Sequence, residues 1–175
     1  MNTINKLEAG LVNAIKAEYD GLDVADTKGI QTFQIRGVEA VNKLVAEYNP
    51  DNLIDHELIG LVLGSLVDLQ VRDYSMGITN ADNLNKLNNL WAFLTALAPE
   101  GDVAPVATLW AITHYEMGNT ALALEALDIA SSDNSEYSLT KLIARVISAG
   151  WPTESFQAMR NELHTKILAG IYETN

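Results

Sequence analysis

Arg72 and Asp73 follow directly on the most apolar stretch of the chain, and Asp68 stands four residues before Arg72, a spacing that joins side chains on one helix face. Charges placed there have two uses. A semi-buried ion pair can close the bottom of a core and fix helix register, since buried charges are normally paired; alternatively the cluster faces a ligand or partner. The other reactive residue types form no recognisable set. His56, His114 and His164 fall on three different predicted helices, with no partner three or four residues away to complete a chelating face. Asp20, Asp23 and Asp26 are spaced by three, not by the alternate residues of a calcium loop, and read as a solvated acidic turn. There is no cysteine, no glycine-flanked serine after a strand and no phosphate-cradling glycine loop. Catalytic, cofactor-binding and metal-binding residues are therefore each expected to be none, and the chain is not expected to be an enzyme.

Three tryptophans supply a different kind of chemistry, because indole rings carry much of the binding energy at protein interfaces. Trp91 and Trp110 lie on apolar stripes and are expected in the core. Trp151 stands between Gly150 and Pro152 in a turn, where it either docks on the preceding hairpin or is exposed for a partner.

The elements that must position these residues are helices. Apolar residues recur at spacings of three and four along nearly the whole chain, and no segment shows sustained alternation, so no sheet is predicted. Leu7, Leu11, Ala14 and Ile15 mark the buried face of a first helix ending at Asp20-Gly21. A second runs from Ile30 through Tyr48, stops before Pro50, and is expected to pair antiparallel with the first. Asp55 caps a third, apolar almost all round from Leu58 through Leu69, the candidate central helix; Gly60 and Gly64 flatten one side of it for a close neighbour. Asn80 or Asp82 caps a fourth with Leu84, Leu87, Leu90, Trp91, Leu94 and Leu97 on its stripe. Pro105 opens a fifth, which Gly118 ends, and a sixth covers Thr120 to Ala130. After the polar turn Ser131 to Glu136, a seventh covers Ser138 to Ala149, and the last follows Pro152. Residues 12–20 and 41–49 resemble each other, as a degenerate repeat or by chance.

A chain of 175 residues, 48% hydrophobic and 19% charged, suits one domain over residues 1–175, with an N-terminal helical pair over 1–50 and a larger helical part over 53–172. The net charge of −12 argues against direct nucleic-acid binding. The longest uncharged run, Leu58 to Val67, is about half of the ~20 residues a membrane span needs, and Lys6 and Glu8 interrupt any signal-peptide core. No membrane association is expected, and a cytoplasmic location fits the absence of cysteine.

Two resemblances rest on particular residues. Ala111, Tyr115, Gly118-Asn119, Ala123 and Ala130 fall where a tetratricopeptide unit places its small residues, aromatic and turn, so the segment from Pro105 to Ala130 resembles one such hairpin. Val71-Arg72-Asp73, Leu90-Trp91, Ala104 to Ala107 leading to Trp110, Gly118-Asn119, Tyr137-Ser138-Leu139 and Ala149 to Pro152 follow one another in an order that resembles the carboxy-terminal helical part of domain-of-unknown-function family 4192, an actinobacterial family also met in actinobacterial phages. That resemblance implies a helical module, here without the α/β segment of longer relatives, and a phage-encoded origin with the host cytoplasm as location. It implies no reaction.

The sequence thus predicts an all-α domain of about eight antiparallel helices with a tetratricopeptide-like hairpin, acting as a protein-interaction module whose partner is another protein and which is compatible with homo-oligomers. Arg72, Asp73, Tyr115 and Trp151 are the candidate interaction residues. The rival readings are an acidic nucleic-acid mimic that inhibits a host nucleic-acid-handling protein, and a small-ligand binder or unrecognised enzyme.

Overall fold

Helix signals dominate the chain, and the computed structural model, described over residues 6–51 and 55–173, contains nine α-helices and no strand among those residues. They are α1 (Ala9–Asp20), α2 (Thr27–Glu47), α3 (His56–Ser65), α4 (Leu69–Gly77), α5 (Leu84–Leu97), α6 (Val103–Glu116), α7 (Thr120–Asp133), α8 (Ser138–Ser148) and α9 (Thr153–Tyr172). The fold class is all-α, as expected, and one apolar cluster running from Leu7 to Ile171 joins the helices into a single domain. None of the helices of the described residues is long and apolar enough to cross a membrane.

The extra helix arises where one long central helix is predicted. The chain turns at Leu66 to Asp68, with the Val67 amide donating to the Gly64 carbonyl and the Asp68 amide to that of Ser65. Asp68 then caps α4, its carboxylate accepting from the amides of Gln70 and Val71 at 2.8 and 3.0 Å. A short acidic side chain offers the backbone an alternative to continuing the ladder, which is why the apolar run breaks there. Asp55 caps α3 as expected, accepting from the Glu57 amide. At the start of α5 neither Asn80 nor Asp82 is the cap; Asn80 organises the turn by accepting from the amides of Asp82 and Asn83, and the helix begins one residue after Asn83.

The first two helices also differ from expectation. Helix α1 packs on α3, not as an antiparallel partner of α2, and buries Val12 while Leu11 and Ala14 stay exposed. Gly60 and Gly64 explain the choice. A methyl group on Gly64 would lie 2.5 Å from Ile15 Cβ, and one on Gly60 would lie 2.9 Å from Leu11 Cβ, so these two positions let the α1 and α3 backbones touch. Since the first stripe is used against the flat side of α3, α2 is left to cover α3 and α4 from the other side with Phe33, Val38, Val41 and Leu44. The resembling segments 12–20 and 41–49 end α1 and α2 in different surroundings, with Tyr48 buried and Tyr19 only half-buried.

Helices α6 and α7 form the most extensively packed pair, with Ala111, Ala123 and Ala130 fully buried and Gly118, at φ 78°, making the turn between them. The open end of this hairpin is held by a cap supplied from the other helix. Asp133, the last residue of α7, accepts from the amides of Gly101, Val103 and Ala104 at 2.6–3.0 Å, satisfying the free donors at the start of α6. Asp102, the residue in the local cap position, instead pairs with Lys16 of α1 at 2.7 Å. Helix α7 consequently extends to Asp133, into the segment predicted as a polar turn.

The glycines give a direct test of this packing. Alanine is favoured over glycine inside a helix by about 1 kcal/mol, but overpacking a close contact costs about 1–3 kcal/mol. Gly64→Ala is expected to lower the urea midpoint, whereas Gly10→Ala, where the added methyl meets nothing within 4 Å, should leave it unchanged or raise it.

Candidate functional site

Helices α8 and α9 are joined by a turn that the sequence makes sharp. Gly150 adopts φ 65°, its amide bonds the Ile147 carbonyl, and the Trp151 amide bonds the Val146 carbonyl, a six-to-one closure typical of a glycine-ended helix. Pro152 then precedes the first residue of α9. Trp151 is left 45% exposed. Beneath it lies a cleft of about 230 Å³ lined on one side by Leu139, Leu142, Ile143 and Val146 of α8, on the other by Phe156, Met159 and Leu163 of α9, and closed at its end by Met76, Arg72 and Asp73 of α4. Three of the four residues singled out in the sequence therefore meet here although they are far apart in the chain.

Tyr115 is the fourth, and the structure places it behind the cleft. It is buried, packs edge-on against the Phe156 ring with centroids 5.6 Å apart, and its hydroxyl donates to the Trp151 carbonyl. Burial raises its phenol above the ordinary value, with Glu154 adding to the effect, so it remains a donor at neutral pH. Its action is to pin the backbone of the turn, which aims Trp151 outward over the cleft without holding the indole itself.

Arg72 and Asp73 pair with each other and not with Asp68. The Arg72 guanidinium places Nε and a terminal nitrogen each 2.7 Å from the same Asp73 oxygen. Asp68 is 2% exposed and is engaged on the far side of α4, where it caps the helix and accepts from Gln34 Nε2 at 3.0 Å. The two residues that the expected four-residue spacing would join thus belong to different clusters, because Asp68 is the cap that starts α4 and not a residue within a continuous helix. The Tyr137 hydroxyl is buried beside the Arg72 guanidinium without a hydrogen bond of good geometry; burial raises its phenol and Arg72 opposes that shift.

A second charge cluster has no sequence signal. Arg160 of α9 and Glu116, the last residue of α6, form a two-pronged pair at 2.6 and 3.0 Å with both side chains almost wholly buried. The remaining arginine nitrogen donates to the Thr79 carbonyl at 2.6 Å and to Asn161 Oδ1 at 3.0 Å. A polar hollow of about 340 Å³ with Thr79, Asn80, Gln157 and Asn161 on its walls opens on this pair. Every nitrogen of the guanidinium is already engaged within the fold, so the pair ties α9 to α6 and to the end of α4.

The histidines do not converge, and among the described residues no group of three or more His, Asp or Glu side chains is arranged to hold a metal ion. His56 opens α3 on the surface. His114 is buried against Trp110, with ring centroids 5.3 Å apart, and His164 packs against Tyr74 at 5.2 Å and over Gly77. Trp91 is in the core as expected, while Trp110 is half-buried. Asp23 and Asp26 of the acidic turn bond the amides of Ala25 and Gly29.

Burial lowers the pKa of both His114 and His164; Glu125 opposes the shift at the first and the Arg160 charge reinforces it at the second. The unfolded chain then takes up these protons first as the pH falls through the ordinary value of 6.5. The stabilisation from keeping them neutral is present in full above that value and is lost as the pH drops toward the folded-state values. Denaturant midpoints for the wild type, His114→Gln and His164→Gln at pH 7.5 and 5.5 should show a smaller loss on acidification in each variant than in the wild type.

The family model described as a domain of unknown function (DUF4192) matches residues 6–154, and the chain belongs to that family. The matched span takes in α1 and α2 as well as all but the last two residues of the stretch from Leu66 to Phe156 that carries the resemblance in the sequence, and it ends just inside α9. Neither the curated proteins nor the solved structures yield a match.

Proposed function

For this member of a family of unknown function, we propose a non-enzymatic role as a helical protein-interaction module whose recognition surface is the cleft under Trp151. The observation that carries the reading is a half-exposed indole standing over an apolar cleft. At about 230 Å³ the cleft is smaller than the roughly 300–1,000 Å³ usual for small-molecule sites. It suits a bulky side chain delivered by a partner, the arrangement found at interface hot spots. Met76 and Met159 add unbranched, polarizable walls that adapt to different apolar shapes. The two charged residues lining it, Arg72 and Asp73, pair with each other. The tetratricopeptide-like pattern of α6 and α7 supports the same reading, since such hairpins serve as scaffolds. The family resemblance further points to an actinobacterial or actinophage source and to the cytoplasm of that cell as the place of action.

The rival reading, an acidic nucleic-acid mimic, rests on the net charge of −12. Several acids are already engaged in holding the fold, among them Asp68, Asp102, Glu116 and Asp133, which leaves fewer for a contiguous carboxylate face.

Capture of partners from nuclease-treated actinobacterial lysate on the immobilised protein tests both. Trp151→Ala keeps the Tyr115 bond to the backbone and should leave the circular dichroism unchanged. It is expected to weaken the principal partner by about 2 kcal/mol or more, roughly thirtyfold. A partner retained in full by Trp151→Ala contradicts the proposal, and a nucleic-acid-handling enzyme displaced by competing DNA would establish the rival.

A further inference from the structure

The polar hollow beside the buried Arg160–Glu116 pair offers chemistry opposite to that of the Trp151 cleft. Four elements converge on it. The turn after α4 supplies Thr79 and Asn80, α5 supplies Leu84, the end of α6 supplies Glu116, and α9 supplies Gln157, Arg160 and Asn161. Its volume of about 340 Å³ falls within the roughly 300–1,000 Å³ usual for small-molecule sites. Gln157 and Arg160 follow Phe156 and Met159 of the cleft by one residue each, so the two openings use different faces of the same helix.

The hydrogen bonds that hold the walls decide what they leave for an occupant. Asn80 Oδ1 accepts from the amides of Asp82 and Asn83, and Asn161 Oδ1 accepts from Arg160. Both carboxamides are therefore fixed through oxygen, and their NH2 hydrogens stay uncommitted among the described residues. Arg160 Nη2 gives one of its two hydrogens to Glu116 and keeps the other. Acceptors stand among these donors, since each Glu116 oxygen and the Thr79 carbonyl take one arginine hydrogen and have a further lone pair. Gln157, half-buried and without a hydrogen bond of its own among the described residues, offers both kinds. Charge selects against ionic occupants. Arg160 and Glu116 are the two charged groups of the walls and neutralise each other, an anion is repelled by the net charge of −12, and a cation would have to displace Arg160 from Glu116.

We propose that this hollow binds a small uncharged polyhydroxy compound, of the size and class of a monosaccharide. Its hydroxyls bond the Asn80 and Asn161 amides, Gln157 and the Glu116 carboxylate, and its C–H surface rests on Leu84. A hydroxyl is the uncharged group that both donates and accepts, so adjacent hydroxyls match donors and acceptors set side by side. They also reproduce the hydrogen bonds of the water they displace, which is the condition for gaining affinity in a polar hollow. The site is separate from the Trp151 cleft, and its failure would leave the docking reading intact.

The test is saturation-transfer NMR on the full chain with glucose, galactose, mannose, ribose and myo-inositol, each at about 10 mM to reach a millimolar Kd, and with acetate as the charged control. Transfer is expected to at least one of these polyols and not to acetate. Gln157→Glu and Asn161→Asp keep the size of each side chain, and the second keeps the oxygen that Arg160 holds; both remove an amide donor. Each should weaken the best-bound polyol about fivefold, as for the loss of one hydrogen bond, with the circular dichroism unchanged, while Trp151→Ala leaves it unaltered. Transfer to none of the polyols, binding unaltered in both variants, or acetate bound more tightly than every polyol overturns the proposal. So does a signal lost in Trp151→Ala, which would place the sugar on the exposed indole instead.

Discussion

The buried carboxylate of Asp68 is the constraint on which the rest of the arrangement depends. Without it, the apolar stretch beginning at His56 would run on to Gly77 as one rod of about 33 Å. With it, the chain turns after Ser65 and restarts at Leu69 in a new direction. Two backbone amides and Gln34 Nε2 satisfy the carboxylate at 2.8–3.0 Å, and burial followed by the Asp68 charge raises the nearby Tyr19 phenol above its ordinary value. The consequence is a division of labour. Helix α3 lies between α1 and α2, while α4 lies against α9 and carries Arg72, Asp73 and Met76 to the closed end of the cleft.

Three further polar contacts hold the frame around that cleft. Asp133 closes the α6–α7 hairpin by capping one helix from the end of the other. The buried Arg160–Glu116 pair ties α9 to α6, an arrangement that is expensive to break because either partner alone would leave an unmatched buried charge. Tyr115 then fixes the turn between α8 and α9 by its bond to the Trp151 carbonyl. Each contact acts on backbone or on buried groups, so the seam between α8 and α9 is tied down at its base and apolar at its mouth. Preorganisation of this kind lowers what a partner must offset on binding.

Much of the fold is legible in the residues themselves. Three-and-four spacing, Gly118 and Gly150 at left-handed turns, and Asp55 before an apolar run each have a local cause and a local effect. The break at Asp68 is hidden because a capping aspartate inside an apolar run is indistinguishable, by spacing alone, from a charge on a helix face. Pairing of α1 with α3 depends on Gly60 and Gly64 meeting Leu11 and Ile15, a match between segments far apart in sequence. At the candidate site, Trp151 is legible from its Gly-Trp-Pro setting, and Arg72-Asp73 from its place after the apolar stretch. Tyr115 is visible as a residue of interest but not as a buried support, and Arg160 carries no signal because its partner Glu116 comes from another helix.

The claim that the Trp151 cleft is the recognition surface is tested most directly by installing a photo-crosslinking amino acid at Leu142, on the cleft, and separately at Leu124, an exposed leucine on α7. The two sites are similarly accessible, at 52% and 42%, and differ in whether a cleft lies beside them. Irradiation in cell lysate should yield a discrete adduct from position 142 and none from position 124. An adduct from 124 with none from 142 would contradict the account and move the surface to the outer face of α7.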